Sequence, residues 1–179
     1  YGKKNGFGSL DAPVSGGQAG AENGQLTIMI GGDNTTYNTI QPLLNSYAKN
    51  STLIGNSGSG QLAKMMNQIC IAGLLQGLAE AINFGQKANL DIEKVIGVIK
   101  DGAASSWQME NRYKTMVKDE FDFGFAVEWM RKDLKICLEQ ADEVGAKLPV
   151  TAIIDQFYSN VLEIGGKRWD TSSLIKLLR

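Results

Sequence analysis

Three polar side chains begin one face of a long apolar helix pattern, and their types suit proton transfer and hydrogen bonding to a small ligand. Asn67 and Gln68 fall within about 60° of Lys64 when each residue advances the helix by about 100°. The sequence contains no histidine, so acid/base chemistry would fall to lysine, tyrosine, aspartate or glutamate. The alternative is that Lys64 extends into water from the helix end and that the two amides are ordinary satisfied side chains.

The helix that carries these residues is apolar on nearly every side. The face of Lys64 continues through Ile71, Leu75, Leu78 and Ile82. Its polar side is a narrow strip through Gln76, Glu80 and Asn83. Such a helix is typical of a buried spine, and its apolar surface predicts self-association.

The elements around this helix change character along the chain. Before residue 56 the patterns predict strand, loop, strand, helix, strand: strands at 9–14, 25–30 and 51–54, and a helix from an N-cap at Asp33 to about Tyr47, with a kink or break at Pro42. From residue 57 onward the periodicity is helical, at 61–87, 92–100, 106–117, 125–145, 149–164 and 174–179, the last with caps among residues 170–173. The expected fold is mainly α: a mixed α/β segment, residues 1–56, that precedes an all-helical domain, residues 57–179.

Composition narrows the functional classes. The chain has 43% hydrophobic and 21% charged residues, typical of a globular protein with a real core. A net charge of −1 provides no general attraction to nucleic acid or acidic membranes, and no uninterrupted apolar run reaches the roughly 18 residues of a membrane helix. Cys70 and Cys137 form neither a CxxC pair nor a disulfide framework, which favours the reducing cytoplasm. We expect no metal site.

The first six residues resemble the end of a helix rather than the start of a protein. Lysines at 3 and 4 followed by Asn5-Gly6 are typical of a last helical turn, and there is no initiator methionine. We therefore expect the sequence to be the C-terminal part of a longer chain. The alternative is a short native protein with a loose N-terminal arm.

Three ordered motifs together resemble the β-hydroxyacid dehydrogenases. The first is the run from Leu10 to Gly17, Leu-Asp-Ala-Pro-Val-Ser-Gly-Gly, followed by Gly20-Ala21 and by Gly24-Gln25-Leu26-Thr27. The second, G-x-x-G-x-G-x-x-x-K-x-x-N, comprises Gly55, Gly58, Gly60, Lys64 and Asn67. The third comprises Gly124-Phe125 and Lys132-Asp133-Leu134. The motifs span nearly the whole chain, so the resemblance is specific.

The resemblance implies a site for a small carboxylate. Ser15, Gly16 and Gly17 correspond to the loop that holds the substrate carboxylate, where N–H groups beside glycines can form a concave anion site; without the preceding Asp-Ala-Pro-Val, the same tripeptide would indicate a plain turn. Lys64 corresponds to the catalytic lysine, whose pKa an apolar face would lower. Asn67 corresponds to the amide that binds substrate. Gln68 stands where a second asparagine is frequent, so which amide contacts substrate stays open.

The resemblance also implies a nicotinamide cofactor, NAD or NADP, and hydride transfer to or from a small 3-hydroxy acid or its semialdehyde. Lys132 and Phe125 correspond to residues near the cofactor. Lys132 is alternatively a solvated helix lysine beside Asp133, with Glu128 and Glu139 on its face as pairing partners. Trp107, after Ser106, and Trp129 are either pocket or core residues. The family further implies a homodimer or homotetramer built through the helical domain.

The family's glycine fingerprint is missing from this sequence. The turn G-x-G-x-x-G, whose helix start carries the cofactor pyrophosphate, has no match, since Gly55, Gly58 and Gly60 have the wrong order. The sequence thus resembles the last strands of a Rossmann-type domain joined to the complete helical domain. A non-catalytic helical module for oligomerisation or interaction is the competing hypothesis, although a mere scaffold needs none of Ser15, Gly16, Gly17, Lys64 and Asn67 together.

Overall fold

The computed structural model describes residues 2–179, apart from the side chain of Lys3. The chain forms two compact units, residues 1–67 and residues 68–179. The predicted helix ending at residues 1–6 includes Tyr1, which lies outside the described residues. From residue 3 the chain makes one 3-10 turn, Lys3–Asn5, and Gly6 ends it with a left-handed φ of 73°. The Asn-Gly stop is therefore confirmed.

The first unit is built on a four-stranded sheet. Its strands are β1 (Leu10–Asp11), β2 (Val14–Ser15), β3 (Leu26–Gly32) and β4 (Ala48–Gly55). Strand β3 pairs antiparallel with β1 and β2 and parallel with β4. The single strand predicted at 9–14 is divided at Pro13, which has no N–H for the ladder. The alternating residues Leu26, Ile28 and Ile30 of β3 are buried, together with Leu44.

Two helices accompany this sheet, and one of them was not predicted. Helix α1 (Gly17–Glu22) follows the Ser-Gly-Gly turn directly, where its glycine-rich sequence gives no helical signal. Helix α2 (Asn34–Leu44) begins as predicted: the Asp33 carboxylate accepts a hydrogen bond from the Thr36 N–H at 2.8 Å. Pro42 lies in its last turn, and the helix ends at Leu44 rather than near Tyr47.

The rest of the chain is helical, which confirms the mainly α fold class. The helices are α3 (Ser59–Lys87), α4 (Ile92–Ile99), α5 (Trp107–Lys118), α6 (Val127–Val144) and α7 (Pro149–Glu163). Asp91 caps α4 through the N–H of Lys94 at 3.1 Å, and Ser106 caps α5 through that of Met109 at 3.0 Å. The predicted terminal helix is a 3-10 segment, Thr171–Leu178.

The core of the second unit includes the apolar face predicted for α3. Leu75 and Ile82 on that face are almost wholly buried. The predicted polar strip is wrong at Gln76, which is 9% exposed and donates to Glu80. The water-facing side of α3 is instead largely apolar. The sequence could not predict this side, because a helix that is apolar all round gives no angular signal for which side is exposed. Its exposed residues include Leu62, Met66, Cys70, Leu74, Gly77, Ala81 and Phe84.

The terminal 3-10 segment is part of this core. Ser172, Ser173, Leu174 and Ile175 are wholly buried. The hydroxyl of the buried Tyr158 on α7 donates to the carbonyl of Thr171 at 3.1 Å. The end of the chain therefore closes the hydrophobic core.

Helix α3 is long and apolar enough to cross a membrane by length and composition alone. The expectation that no uninterrupted apolar run reaches this length still holds, because polar residues such as Gln68, Gln76 and Glu80 interrupt α3. An average over 18 residues tolerates such interruptions. One such helix is weak support for a membrane span, since core helices of soluble proteins also meet these criteria.

Candidate active site

The Ser15–Gly17 turn has a backbone that only glycine accommodates readily. Ser15, the last residue of β2, is paired with Thr27 on β3. Gly16 has φ 129° and Gly17 has φ 61°, values that L residues rarely adopt. A Cβ at position 16 would also lie 3.2 Å from Cδ2 of Leu26. Neither glycine has a side chain that could shield the N–H groups of this turn, which is compatible with a small anion there.

Asp11 fixes the start of the helix that carries Lys64. Its Oδ1 accepts a hydrogen bond from the N–H of Gly58 at 2.6 Å, and its Oδ2 accepts one from the N–H of Gln61 at 3.1 Å. Burial raises the pKa of this carboxyl, but the hydrogen bonds from Gly58 and Gln61 outweigh it, and the net pKa lies below the usual value. Sequence reasoning placed Asp11 in a motif but did not predict this cap.

The glycines around Asp11 are explained by its carboxylate. A Cβ at Gly31 would lie 2.6 Å from Oδ2 of Asp11, and one at Gly60 would lie 2.8 Å from the same atom. The glycine-rich start of α3 therefore encloses a carboxylate of the protein itself. This arrangement does not fit a cofactor pyrophosphate at that helix start, because two anionic groups would meet there.

Lys64 and Asn67 follow this cap on α3. Both side chains are half-buried and, three residues apart, lie on one side of the helix. They belong to the same compact unit as Ser15, Gly16 and Gly17. The first unit therefore contains the predicted lysine, an amide and the predicted anion-binding turn.

Gln68 is buried in the second unit, at 3% exposure. Its Nε2 donates to Oδ2 of Asp133 at 2.6 Å. Oδ1 of Asp133 pairs with Nζ of Lys132 at 2.8 Å. The structure thus links two predicted site residues, Gln68 and Lys132, through a carboxylate that sequence reasoning placed beside Lys132 but did not connect to Gln68.

The partners expected for Lys132 as a surface residue are wrong. Glu128 pairs with Lys167 and Arg168, which hold its pKa below the usual value against the opposing effect of burial; the hydrogen bond from Arg168 is the largest cause. Glu139 pairs with Lys135. Loop cations that are distant in sequence therefore take Glu128, and a lysine of the same helix takes Glu139.

Phe125 is held by Asp170. The N–H of Phe125 donates to Oδ2 of Asp170 at 3.0 Å, and its ring centroid lies 5.8 Å from that of Trp129. Asp170 is 1% exposed and its Oδ1 lies 3.3 Å from Nε of Arg112. Gly124 has φ 72°, and a Cβ there would overlap the Asp170 carboxylate. The sequence predicted Asp170 only as a helix cap.

The two tryptophans of the motif regions are partly exposed. Trp107 is 60% exposed, with the Arg112 guanidinium 4.8 Å from its ring centroid. Trp129 is 43% exposed, with the Arg168 guanidinium 4.5 Å away. The alternative that Trp107 is a core residue is therefore wrong. Among the described residues, no group of three or more histidine, cysteine or acidic side chains could hold a metal ion.

Comparison with known proteins identifies the family. Residues 58–178 match the family model described as "NAD-binding of NADP-dependent 3-hydroxyisobutyrate dehydrogenase". The chain belongs to the β-hydroxyacid dehydrogenase family. Residues 1–55 match the family model described as "NAD binding domain of 6-phosphogluconate dehydrogenase". The family's cofactor is accordingly NAD or NADP, as the motif resemblance implied.

Individual relatives agree with this membership. The chain is 60% identical over 169 residues to an uncharacterized oxidoreductase of Shewanella frigidimarina, and 38% identical over 169 residues to 2-hydroxy-3-oxopropionate reductase of Escherichia coli. Each match covers 94% of this chain but 58% of the relative. Mycobacterium tuberculosis 3-hydroxyisobutyrate dehydrogenase, solved with L-serine, superposes with a TM-score of 0.89 at 29% identity, over 99% of this chain and 63% of that one.

Proposed function

We propose that this chain supplies the acid/base lysine and the substrate-binding turn of an NAD(P)-dependent dehydrogenase. Its substrate is a small 3-hydroxy acid or the corresponding semialdehyde. The observation that carries the proposal is one compact unit in which the positive-φ turn Ser15–Gly17 accompanies the half-buried Lys64. Family membership makes hydride transfer the reaction that this pair of features serves.

Each proposed residue has a separate role in the reaction. A bound nicotinamide supplies or accepts the hydride. In reduction the Lys64 ammonium donates a proton to the carbonyl oxygen, and in oxidation the neutral amine accepts the hydroxyl proton. The Ser15 hydroxyl and the N–H groups of Gly16 and Gly17 hold the substrate carboxylate, which fixes the reacting carbon.

Asn67 is the amide proposed to bind the substrate beside Lys64, one helical turn away. Gln68 is the second candidate for this contact, since its carbonyl end could also reach substrate. Its Nε2 donates to Asp133 on the neighbouring helix, whereas Asn67 belongs to the same compact unit as Lys64, which favours Asn67. We accordingly assign Gln68 mainly to support of the neighbouring helix.

Lys132 and Phe125 are the residues that we propose to contact the cofactor. The Lys132 side chain is 66% exposed with a carboxylate on one side, which fits a contact with an anionic group or an amide of the cofactor. The start of α3 does not fit the cofactor phosphates, because Asp11 occupies it. We assign residues 1–56 to the Rossmann-type domain and residues 57–179 to the helical domain.

We further propose that the protein is a cytoplasmic homodimer or homotetramer. Free thiols at Cys70 and Cys137 suit a reducing compartment. Exposed apolar side chains on α3, such as Met66 at 68% and Phe84 at 72%, suit burial against a second copy. Light scattering of the purified full-length protein at micromolar concentration tests association, and a stable monomer contradicts it.

The experiment for the reaction is a substrate panel. The full-length protein is offered small semialdehydes and their methyl esters with NADH and with NADPH, and the loss of reduced nicotinamide absorbance is followed. We expect turnover of the acids and poor turnover of the esters. Equal rates on acid and ester, or no turnover of any semialdehyde, would contradict the proposal.

A further inference from the structure

We infer that Asp11 is a positioning residue for Lys64, and that it acts through the first turn of α3 rather than by contact with substrate. The inference rests on the proposed function, since it assigns a catalytic consequence to a cap. It starts from two hydrogen bonds, those from the N–H groups of Gly58 and Gln61 to the two oxygens of Asp11.

The first step concerns the rigidity of the cap. Both carboxylate oxygens are used, and Gly31 and Gly60 leave space for them that a methyl group would fill. Asp11 is itself fixed in strand β1, where it pairs with Gly31 of the central strand β3. The start of α3 is therefore anchored to the sheet and not to a mobile loop.

The second step concerns what this anchor positions. Lys64 lies three residues beyond Gln61, about 4.5 Å further along the helix axis at 1.5 Å per residue. Ser15 lies four residues beyond Asp11, in the strand paired with the same β3. One carboxylate thus joins the segment that holds the substrate carboxylate to the turn from which the lysine projects.

The third step concerns the cost of losing the cap. Without it, the first N–H groups of α3 lose their acceptors and the first turn frays. Proton transfer needs the donor within hydrogen-bond reach of the reacting oxygen, and a displacement of about 1 Å can cost about 100-fold in rate. Loss of the cap should therefore reduce turnover beyond any effect on folding.

A matched control is present in the same unit. Asp33 caps α2 in the same way, accepting from the N–H of Thr36 at 2.8 Å and from its Oγ1 at 2.6 Å. No candidate site residue lies on α2. Replacing Asp33 removes a cap carboxylate of the same kind and leaves the start of α3 unchanged.

The experiment compares Asp11→Ala, Asp11→Asn, Asp33→Ala and Lys64→Ala in the full-length protein by kcat, KM for each substrate, melting temperature and amide hydrogen exchange. We expect Asp11→Ala to lower kcat about 10- to 100-fold. Asp11→Asn, which keeps one acceptor oxygen, should fall between it and wild type. KM for the cofactor should stay within about twofold, and amides at the start of α3 should exchange faster. Asp33→Ala should lower the melting temperature while kcat stays near wild type.

The inference is overturned if Asp11→Ala keeps wild-type kcat, if only the KM for substrate changes, or if Asp33→Ala loses kcat equally. Should Asp11→Ala not fold, Asp11→Asn decides: unchanged kcat or unchanged exchange at the start of α3 overturns the inference. A wrong proposed function would be recognised separately, because Lys64→Ala would then keep turnover within about tenfold of wild type.

Discussion

The side-chain amide of Gln68 is hydrogen-bonded to Asp133 at 2.6 Å, which joins α3 to α6 one residue from Lys132. Gln68 is 3% exposed, so this bond to a carboxylate is shielded from water and is worth about 1.5–3 kcal/mol. Asp133 uses its second oxygen to hold Lys132. Gln68, next in sequence to the proposed substrate amide Asn67, and Lys132, the proposed cofactor lysine, thus interact with the same carboxylate, that of Asp133.

Replacement of Lys132 tests the cofactor contact. Lys132→Ala should raise the KM for NAD or NADP about tenfold, which corresponds to about 1.4 kcal/mol for one exposed charge contact. Lys135→Ala is the control, since Lys135 lies on the same helix and is 76% exposed. Steady-state kinetics at varied cofactor concentration measure the effect. The same KM in both variants would exclude Lys132 from cofactor binding.

Replacement of Lys64 tests the acid/base assignment. Lys64→Ala should lower turnover by about 2–4 orders of magnitude, because a general acid/base is removed, while cofactor affinity changes little. Lys87→Ala, at the far end of the same helix, should keep wild-type turnover. A Lys64→Ala enzyme within about tenfold of wild type would show that another group transfers the proton.

Two substitutions at Gly16 separate charge from strain. Gly16→Ala strains a backbone at φ 129° without adding charge, whereas Gly16→Asp adds a carboxylate beside the proposed carboxylate site. Because like charges in contact cost several kcal/mol, kcat/KM for the acid should be at least about 100-fold lower in Gly16→Asp than in Gly16→Ala. Cofactor KM should be equal in the two. Equal kcat/KM would mean that no anion binds at this turn.

The turn before α6 allows a test of stability. Gly124 and Gly145 both have φ 72°, but a Cβ at Gly124 would overlap Asp170, whereas nothing lies within 4 Å of one at Gly145. Gly145→Ala should cost about 1–2 kcal/mol of backbone strain, and Gly124→Ala about 1–3 kcal/mol more. Urea unfolding measures both. Equal losses would argue against tight packing of Asp170 on this turn.

Dinucleotide binding by the 179-residue chain is expected to be weak. The sequence has no G-x-G-x-x-G turn, and the start of α3 is occupied by Asp11. Titration of the isolated chain should therefore show no saturable NAD or NADP binding below about the millimolar range, since most dinucleotide affinity comes from the glycine turn. Tight binding would show that another segment holds the phosphates.

Sequence patterns predicted the elements whose signals are local. Asp33 was identified as a helix cap because an acceptor side chain directly precedes the helical pattern, and it accepts the expected N–H. The apolar face of α3 that begins at Lys64 was predicted from spacing alone. Helix α1 was missed because Gly17 and Gly20 have low helix propensity, and the sheet supports the helix instead.

The contacts between distant residues had no such signal. Asp11 meets Gly58 and Asp133 meets Gln68 only after the chain folds, and any of several carboxylates could have filled either place. The glycines at 58 and 60 offered a partial clue, since they indicate a close approach to a helix start without identifying what approaches. The role of Asp170 was likewise hidden, because its partners Arg112 and Phe125 lie on separate segments.

The buried 3-10 segment Thr171–Leu178 gives the residues after Asp170 unusual weight in folding. A stop codon at Asp170 would leave every proposed catalytic and binding residue encoded, yet it would remove Leu174 and Ile175 from the core and the Asp170 carboxylate from the Phe125 turn. The truncated protein should therefore fail to fold, although its proposed site residues are all present. Arg179 donates to Asp119 and to the carbonyl of Met116, so the same segment also holds the end of α5.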